Sequence, residues 1–174
     1  MVEDNNSSLL ATIGRAIAFI FTPLGFGDWQ STVATVTGLI AKENVVTTFG
    51  VVFHVAGEVA EDTPALLSAV AAHYTALSAY SFMIFNLLCA PCFAAMGAIK
   101  REMNNAKWTW AAIGYMCVFA YAVSLIVYQF GAWFIGSGSV IGTIFAVALL
   151  AFILYMLFRP YKTSEKLKSA AYAA

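Results

Sequence analysis

Two groups of residues in this chain could do chemistry, and both lie inside apolar stretches. The first is Cys89-Ala90-Pro91-Cys92. Residues three apart share a face of a helix, so both thiols are expected to face one cavity. Pro91 frees the backbone carbonyl of Leu87, which neighbouring groups must satisfy or which could coordinate a cation. Thiolates favour softer transition metals such as Fe(II), Cu(I) or Zn(II) over Mg(II) or Ca(II).

The same cysteines also have a plainer interpretation. Free cysteine is among the most buried residue types, so packing alone could explain the pair, and it is the expected role of Cys117. All 3 cysteines lie in apolar runs, which excludes a disulfide scaffold. A redox role for C-x-x-C needs a strand–helix–strand context that is absent from the sequence pattern. Spacing alone therefore leaves metal binding and packing open for Cys89 and Cys92.

The second group is Lys42-Glu43-Asn44. A charge at the centre of a membrane helix costs about 2.5–3.5 kcal/mol. Consecutive helical residues point about 100° apart, so Lys42 and Glu43 are not expected to pair with each other. Each needs a partner on another helix or a water-filled cavity. Four threonines add hydroxyls nearby: Thr35, Thr37, Thr47 and Thr48. The group could line a transport pathway or form structural ion pairs that hold helices together.

A weaker set comprises His54, Glu58 and His73, which flank an acidic loop. Imidazole and carboxylate suit divalent metals, but the favoured interpretation is a pair of interfacial histidines beside a solvated loop. The sequence has no G-x-x-x-x-G-K-[ST], H-E-x-x-H or G-x-S-x-G pattern. We therefore do not expect this chain to be an enzyme.

The composition requires a lipid bilayer as a partner. The 174 residues are 61% hydrophobic and 10% charged, whereas a soluble domain is about 45–50% apolar and about 25% charged. A soluble core of this length could not bury that much apolar surface. The net charge is +0, with no basic region to bind nucleic acid. The acidic, polar start of the chain does not resemble a cleaved signal peptide.

The lengths of the apolar segments predict the helices. Residues 73–99, 108–135 and 138–158 carry no formal charge and exceed the roughly 20 residues that cross a bilayer. Residues 29–55 are predicted to form a spanning helix, continuous or broken at its charges. Residues 9–21 are too short to span and are predicted to form an interfacial or re-entrant arm. The fold class is an all-α, polytopic membrane protein with about four transmembrane helices and this N-terminal arm.

Basic residues predict the orientation. Lys100, Arg101 and Lys107 follow the 73–99 segment, and the tail of residues 159–174 is also basic. Two helices separate these places, so they share a face, which the positive-inside rule assigns to the cytoplasm. The loop of residues 56–72 has no lysine or arginine and is expected outside.

Several stretches resemble a known family. F-T-P-L-G-F-G-D-W-Q at residues 21–30 and T-G-L-I-A-K-E at residues 37–43 are similar to the second Gate segment of the bacterial ferrous iron transport protein B (FeoB) family. L-L-C-A-P-C-F-A-A at residues 87–95 and I-K-R-E at residues 99–102 resemble that family's C-terminal transmembrane region. The ordered set covers most of residues 13–131.

The resemblance implies Fe(II) uptake across the bacterial inner membrane, with Gate cysteines lining the path. Fe(II) is then a transported ion, and no permanently bound cofactor is expected. Cys92 corresponds to the family's proline-following cysteine, and Lys42 and Glu43 correspond to its A-K-E pair. Cys89 and Asn44 depart from the residues that the family usually carries.

From these patterns we predict metal contacts by Cys92, Cys89 and Glu43. Pathway or gating roles are predicted for Lys42, Asn44 and Pro91.

Family members also carry a cytoplasmic G domain and a first Gate segment, which this chain lacks. The resemblance therefore implies partner segments, in another chain if the gene is split, or else a truncated product. Two other functions stay open: a non-transporting membrane assembly subunit, and a Gate-type carrier of a small organic solute that uses Lys42 and Asn44 to bind an anion. Association into a homo-oligomer is also left open.

One membrane domain is predicted over residues 1–174. It comprises a Gate-like segment at 9–57, three transmembrane helices within 73–158 and a basic cytoplasmic tail at 159–174. Because their irregular groups are costly in lipid, the segments containing Lys42 and Pro91 are expected to face each other or a shared cavity.

Overall fold

The computed structural model describes residues 9–53, 64–136 and 138–159, and all regular structure in these ranges is helical. The α-helices are α1 (Leu9–Ala18), α2 (Trp29–Gly38), α3 (Asn44–Val52), α4 (Pro64–His73), α5 (Ala76–Leu88), α6 (Phe93–Met103), α7 (Ala106–Ile135) and α8 (Val140–Phe158). A short 3₁₀ helix covers Thr22–Leu24. The prediction of an all-α polytopic membrane protein is confirmed.

Three stretches in the described ranges are long and apolar enough to cross a bilayer: Ala76–Met103, Ala106–Ile135 and Val140–Phe158. They correspond to the three charge-free segments of the sequence. Helix α8 exposes most of its large apolar side chains, including Ile144, Phe152 and Leu157. Such a surface suits lipid tails or apolar partner helices.

Within the segment predicted to span, residues 29–53 form a helical hairpin. Thr37 near the end of α2 lies against Thr48 in α3, with 2.8 Å between their hydroxyl oxygens. Trp29 and Val52 at the opposite ends line one cavity, so the two helices run antiparallel. Each is about 15 Å long at 1.5 Å per residue, half of a hydrocarbon core. Of the two forms that the sequence left open, the broken one is present, and neither helix is long enough to span alone.

The hairpin changes where the charges lie. Lys42 and Glu43 occupy the turn before α3, and Asn44 is the first residue of that helix. At Gly38 in α2, an added Cβ would come within 2.7 Å of the Val45 side chain, so the missing side chain permits this close turn. A turn lets both charged groups leave the apolar interface, which a continuous helix would not allow.

The segment containing Pro91 is also broken, where the sequence predicted one spanning helix over residues 73–99. Helix α5 ends at Leu88 and α6 begins at Phe93. Cys89 (φ −60°, ψ 168°) and Cys92 (φ −57°, ψ 161°) both have extended backbones. Proline disfavours helical geometry in the residue before it, which explains an extended linker here. The expectation that the two thiols share a helix face is therefore wrong.

The turn between α1 and α2 packs into the centre of the fold. Leu24 and Phe26 are 0% and 1% exposed. Phe26 stacks on Phe21 and meets Phe82 edge-on, with ring centroids 5.4 Å and 5.3 Å away. Three polar side chains donate to carbonyl oxygens of this region: Ser81 to Leu24 (2.7 Å), Gln129 to Pro23 (2.9 Å) and Tyr121 to Ile20 (2.9 Å).

Helices α5 and α7 form an antiparallel pair, and the turn between α1 and α2 packs against this pair. The hydroxyl oxygens of Ser81 and Ser124 lie 2.8 Å apart, and Ser124 also donates to the Ser81 carbonyl oxygen at 2.9 Å. Both serines are 0% exposed. Helix α1 packs on α2 through Gly14, where an added Cβ would lie 3.0 Å from the Trp29 carbonyl oxygen. With 10 residues α1 is too short to span, and its interfacial or re-entrant position stays a prediction.

Candidate functional site

The hairpin turn and the helix break face each other, as expected from their irregularity. The Phe93 amide donates to the Leu39 carbonyl oxygen at 3.2 Å. The Lys42 ammonium donates to the carbonyl oxygens of Asn86 at 2.6 Å and Leu87 at 3.2 Å. These contacts join two parts of the chain that are more than forty residues apart.

Lys42 thereby completes the C-terminal end of α5. The last carbonyls of a helix lack partners within it and carry a partial negative charge, which favours a cation. Pro91 cannot donate to the Leu87 carbonyl, and Lys42 supplies the donor instead. Across the residues that the structure describes, Lys42 forms no ion pair with Glu43, in agreement with the prediction from their spacing.

A cavity of about 600 Å³ lies beside this contact. Its polar lining includes Thr35, Lys42, Asn86 and Cys89, and the rest of its wall is mostly apolar. Thr35 is 6% exposed, and its buried hydroxyl oxygen has no hydrogen-bond partner within the described ranges. The large majority of buried polar atoms have a partner. Thr35 thus lines the cavity while its hydroxyl oxygen is buried and unpaired within the described ranges.

The other predicted site residues lie elsewhere. Cys92 is the residue before α6 and is not part of the wall of the 600 Å³ cavity. Glu43 is exposed in the hairpin turn. Asn44 lines a separate cavity of about 270 Å³ together with Thr37 and Thr48. The structure thus brings Lys42 and Cys89 to one cavity but does not bring Cys92, Glu43 or Asn44 to it.

Cys89 pairs with a cysteine that the sequence did not suggest. Its sulfur lies 3.7 Å from that of Cys117 on α7, whereas Cys117 was expected only to pack. The two are 28 residues apart, so no local spacing could have revealed them. No group of three or more His, Cys, Asp or Glu suitable for a metal occurs among the described residues. A cation at Cys89 would therefore need oxygen ligands as well.

A second polar cluster surrounds Asp28 at the start of α2. Its carboxylate accepts from the Ser31 amide at 2.8 Å and lies 3.4 Å from Nε2 of His73. The Tyr74 hydroxyl contacts the Ser31 hydroxyl. Burial raises the pKa of Tyr74, and the negative charge of Asp28 raises this pKa further, so the phenol stays neutral. The cluster fixes the start of α2 against the end of α4.

Sequence analysis missed this cluster, although part of it had a local signal. Asp28 with Ser31 three residues later is a common helix N-cap pattern. His73 and Tyr74 come from a distant segment and have no such signal. His54 and Glu58, which were grouped with His73, lie outside the described residues, so their proposed grouping stays untested.

Comparison with known proteins gives a family. The chain matches the Gate family model, described as "Nucleoside recognition", over residues 5–106. It is 36% identical over 130 residues to the Fe(2+) transporter FeoB of Staphylococcus aureus (strain COL), covering 75% of this chain and 19% of that protein. It is 38% identical over 128 residues to FeoB of Methanocaldococcus jannaschii, covering 72% of this chain and 18% of the relative.

A third relative is the Fe(2+) transport protein A/FeoB fusion protein of Porphyromonas gingivalis, 32% identical over 142 residues, or 76% of this chain and 17% of the fusion protein. No solved structure matches. The chain spans less than one fifth of the length of these relatives. The family model covers more than half of the chain, and the matching relatives agree with the resemblance seen in its motifs. The chain belongs to the Gate family and corresponds to part of the membrane portion of the FeoB transporters.

Proposed function

We propose that this chain forms part of the permease of a ferrous iron transporter and contributes to Fe(II) uptake across the cytoplasmic membrane. The observation that carries the proposal is the 36% identity over 130 residues to an Fe(2+) transporter FeoB. Because the aligned region is 19% of that protein, the proposal includes partner segments, namely a G domain and the first part of the permease.

The geometry supports a transport role. Irregular backbone at membrane depth is tolerated where it lines a cavity or is buried in protein. The ends of broken helices are where transporters place ion sites, because unwound carbonyls can replace water around a cation. Here the broken α5–α6 segment and the α2–α3 hairpin meet at one cavity. Fe(II) is the cargo in this proposal, and the basic α6–α7 loop faces the cytoplasm.

The thiols are the proposed selective element, because thiolate ligands favour softer metals. Cys89 lines the cavity, and Cys92 lies at the other end of the same linker. In this proposal Fe(II) contacts each of these thiols, and the exposed carboxylate of Glu43, at successive points of its path.

A chimera tests the proposal. The aligned segment of Staphylococcus aureus FeoB would be replaced by the corresponding residues of this chain, and ⁵⁵Fe(II) uptake measured in a strain without ferrous iron transport. We expect saturable uptake that Cys92→Ser lowers at least about tenfold, while Cys117→Ser, the matched loss of a thiol outside the C-A-P-C segment, lowers it less. An assembled chimera without uptake would favour the non-transporting assembly subunit.

A second candidate function rests on the description of the Gate family as "Nucleoside recognition". The cavity of about 600 Å³ is within the usual size of small-molecule pockets, about 300–1,000 Å³. Lys42 lies at this cavity but Asn44 does not, so the anion site predicted from both residues would need Lys42 alone. Saturable uptake of a radiolabelled nucleoside by the chimera, without Fe(II) uptake, would favour this function.

A further inference from the structure

Two thiols meet where the linker between α5 and α6 passes α7. The sulfurs of Cys89 and Cys117 lie 3.7 Å apart, and both side chains are half-buried. Cys89 is the C-cap residue of α5, whereas Cys117 lies inside the long helix α7. In the transport role proposed above, Cys89 lies at the cavity and Cys117 has no part, so that role does not account for their contact.

The packing of α5 on α7 holds the two thiols near each other. Ser81 and Ser124 are 0% exposed, and their hydroxyl oxygens lie 2.8 Å apart. Cys89 follows Ser81 by eight residues and Cys117 precedes Ser124 by seven, as expected of positions further along one antiparallel interface. Residues seven apart share a helix face, so Cys117 and Ser124 face α5 together. The thiol contact is therefore an extension of a buried interface.

Cys92 provides the comparison, because it is a third half-buried cysteine at the other end of the same linker. Within the described ranges the Cys89 sulfur contacts that of Cys117 and not that of Cys92. A disulfide tolerates only a narrow range of distances between its two residues. The structure therefore favours one pair of cysteines for oxidation, and that pair is not the one within the C-A-P-C segment.

We propose that Cys89 and Cys117 are a redox-sensitive thiol pair, which hydrogen peroxide converts to a disulfide that ties the α5–α6 linker to α7. Peroxide oxidises one thiol to a sulfenic acid, and one water molecule is released. The second thiol attacks this sulfur, so that an S–S bond forms, the S–O bond breaks and a second water molecule leaves. The two thiols lose two electrons, which peroxide accepts. A dithiol reductant restores both thiols by exchange.

The surroundings of the pair suit a small neutral oxidant. The wall of the cavity beside Cys89 is mostly apolar, and the transfer of an ion into apolar surroundings is costly. Hydrogen peroxide carries no charge and meets no such penalty. In reducing compartments disulfides are usually transient and serve catalysis or redox sensing. The pair therefore fits reversible oxidation better than a permanent crosslink.

Oxidation changes the cavity in two ways. The thiolate is the form of cysteine that binds metal ions, so the disulfide removes Cys89 from the proposed metal contacts. The new bond also fixes the linker, which includes Ala90 of the cavity wall, to α7. We therefore expect oxidation to lower Fe(II) uptake. This effect rests on the proposed function, whereas the thiol pair itself rests on the geometry.

Thiol mapping of the full chain in lipid nanodiscs tests the pair. Wild type, Cys117→Ser and the control Cys92→Ser would be treated with hydrogen peroxide, then with catalase and a maleimide, and analysed by peptide mass spectrometry. We expect a Cys89–Cys117 disulfide in wild type and in Cys92→Ser, which dithiothreitol reverses, and no disulfide within the Cys117→Ser chain. A dominant disulfide that contains Cys92, or no disulfide in wild type, overturns the proposal.

Uptake by the chimera tests the effect on transport. Cells would be exposed to peroxide, and catalase would remove it before anaerobic ⁵⁵Fe(II) is added, because peroxide oxidises Fe(II) directly. If about nine-tenths of the pair is oxidised, uptake should fall about tenfold and recover with dithiothreitol. The chimera with Cys117→Ser should keep its own untreated rate, since its other cysteines are the same.

The two measurements fail separately. If the disulfide forms in nanodiscs but the chimera takes up no Fe(II) before oxidation, the proposed function alone is rejected. If the chimera takes up Fe(II) but the disulfide does not form, the thiol pair alone is rejected. A disulfide that forms in the chimera without lowering uptake overturns the effect on transport.

Discussion

Non-helical backbone contacts α5 in two regions of this fold. The carbonyl oxygens in these two regions accept hydrogen bonds from different kinds of donor. In the docked turn between α1 and α2, carbonyl oxygens accept from neutral side chains held on α5 and α7, including Ser81 and Gln129. At the α5–α6 break, two carbonyl oxygens accept from a single lysine in a hairpin turn. Thr35 lines the same cavity as that lysine, and its buried hydroxyl has no partner among the described residues.

The two regions differ in burial and in the kind of donor that they use. Leaving a buried polar group unpaired costs about 1–3 kcal/mol, so a network of buried neutral partners resists rearrangement. Lys42 is exposed and has a flexible side chain, so water can replace its contact without disturbing a packed core. The break is therefore the better candidate for a functional site, although the docked turn also belongs to a stretch that resembles the family.

The largest expected effect is that of Gly25→Ala in the docked turn. Gly25 has φ +84°, and an added Cβ would overlap the ring of Tyr128. The left-handed backbone and the overlap together should lower the free energy of unfolding by about 2–5 kcal/mol. Thermal unfolding in detergent, followed by tryptophan fluorescence, measures it. Gly114→Ala is the control, since an added Cβ there meets nothing within 4 Å. Equal melting temperatures for the two variants would mean that the turn is not rigidly docked.

The next effect is that of Ser81→Ala. Ser81 is 0% exposed and donates to the Leu24 carbonyl oxygen at 2.7 Å, which the variant leaves buried without this donor. We expect a loss of about 1–3 kcal/mol in the free energy of unfolding, measured by denaturant titration in mixed micelles. Ser68→Ala is the matched control, because Ser68 is exposed and bonds only within its own helix. A Ser81 effect no larger than that of Ser68 would contradict a closed network.

At the break, the expected effect concerns geometry more than stability. Cys89 and Cys117 have sulfurs 3.7 Å apart, which makes them the pair expected to form a disulfide on oxidation. Oxidation by copper–phenanthroline should join these two thiols and leave Cys92 open to alkylation, as read by peptide mass spectrometry. In a Cys117→Ser background Cys89 should also stay alkylatable. A dominant Cys89–Cys92 disulfide would argue against the extended linker.

The smallest effect is expected for Thr35→Val, and its sign is the sharpest test of the comparison. Valine keeps the shape and removes a buried hydroxyl without a partner, so the free energy of unfolding should stay unchanged or rise by about 1 kcal/mol. Thr37→Val is the matched control and should destabilise, because the Thr37 hydroxyl lies 2.8 Å from that of Thr48. If Thr35→Val cost as much as Ser81→Ala, both regions would be closed networks and the contrast would disappear.

Much of the architecture follows from the sequence because it depends on local composition. The number of consecutive residues without formal charge identified the three long apolar stretches. A helix of this length and composition is stable in lipid regardless of which helices lie next to it. Because Pro91 has no N–H group, the sequence indicated that the Leu87 carbonyl needs another donor. Because a charge is costly in lipid, it also indicated that Lys42 needs a partner. The family resemblance lay in contiguous motifs, and the Gate match confirmed it.

Only the tertiary structure decided which of these groups meet. Lys42 and Leu87 are 45 residues apart, and their contact depends on the α2–α3 segment turning back on itself. The same is true of Cys89 and Cys117, whereas the sequence led us to expect Cys89 and Cys92 to face one cavity. A helical periodicity cannot reveal that a helix ends, so the spacing argument for Cys89 and Cys92 failed where the chain becomes extended. Composition determines whether a segment can lie in lipid. Helix packing determines which polar side chain donates a hydrogen bond to which unpaired carbonyl oxygen.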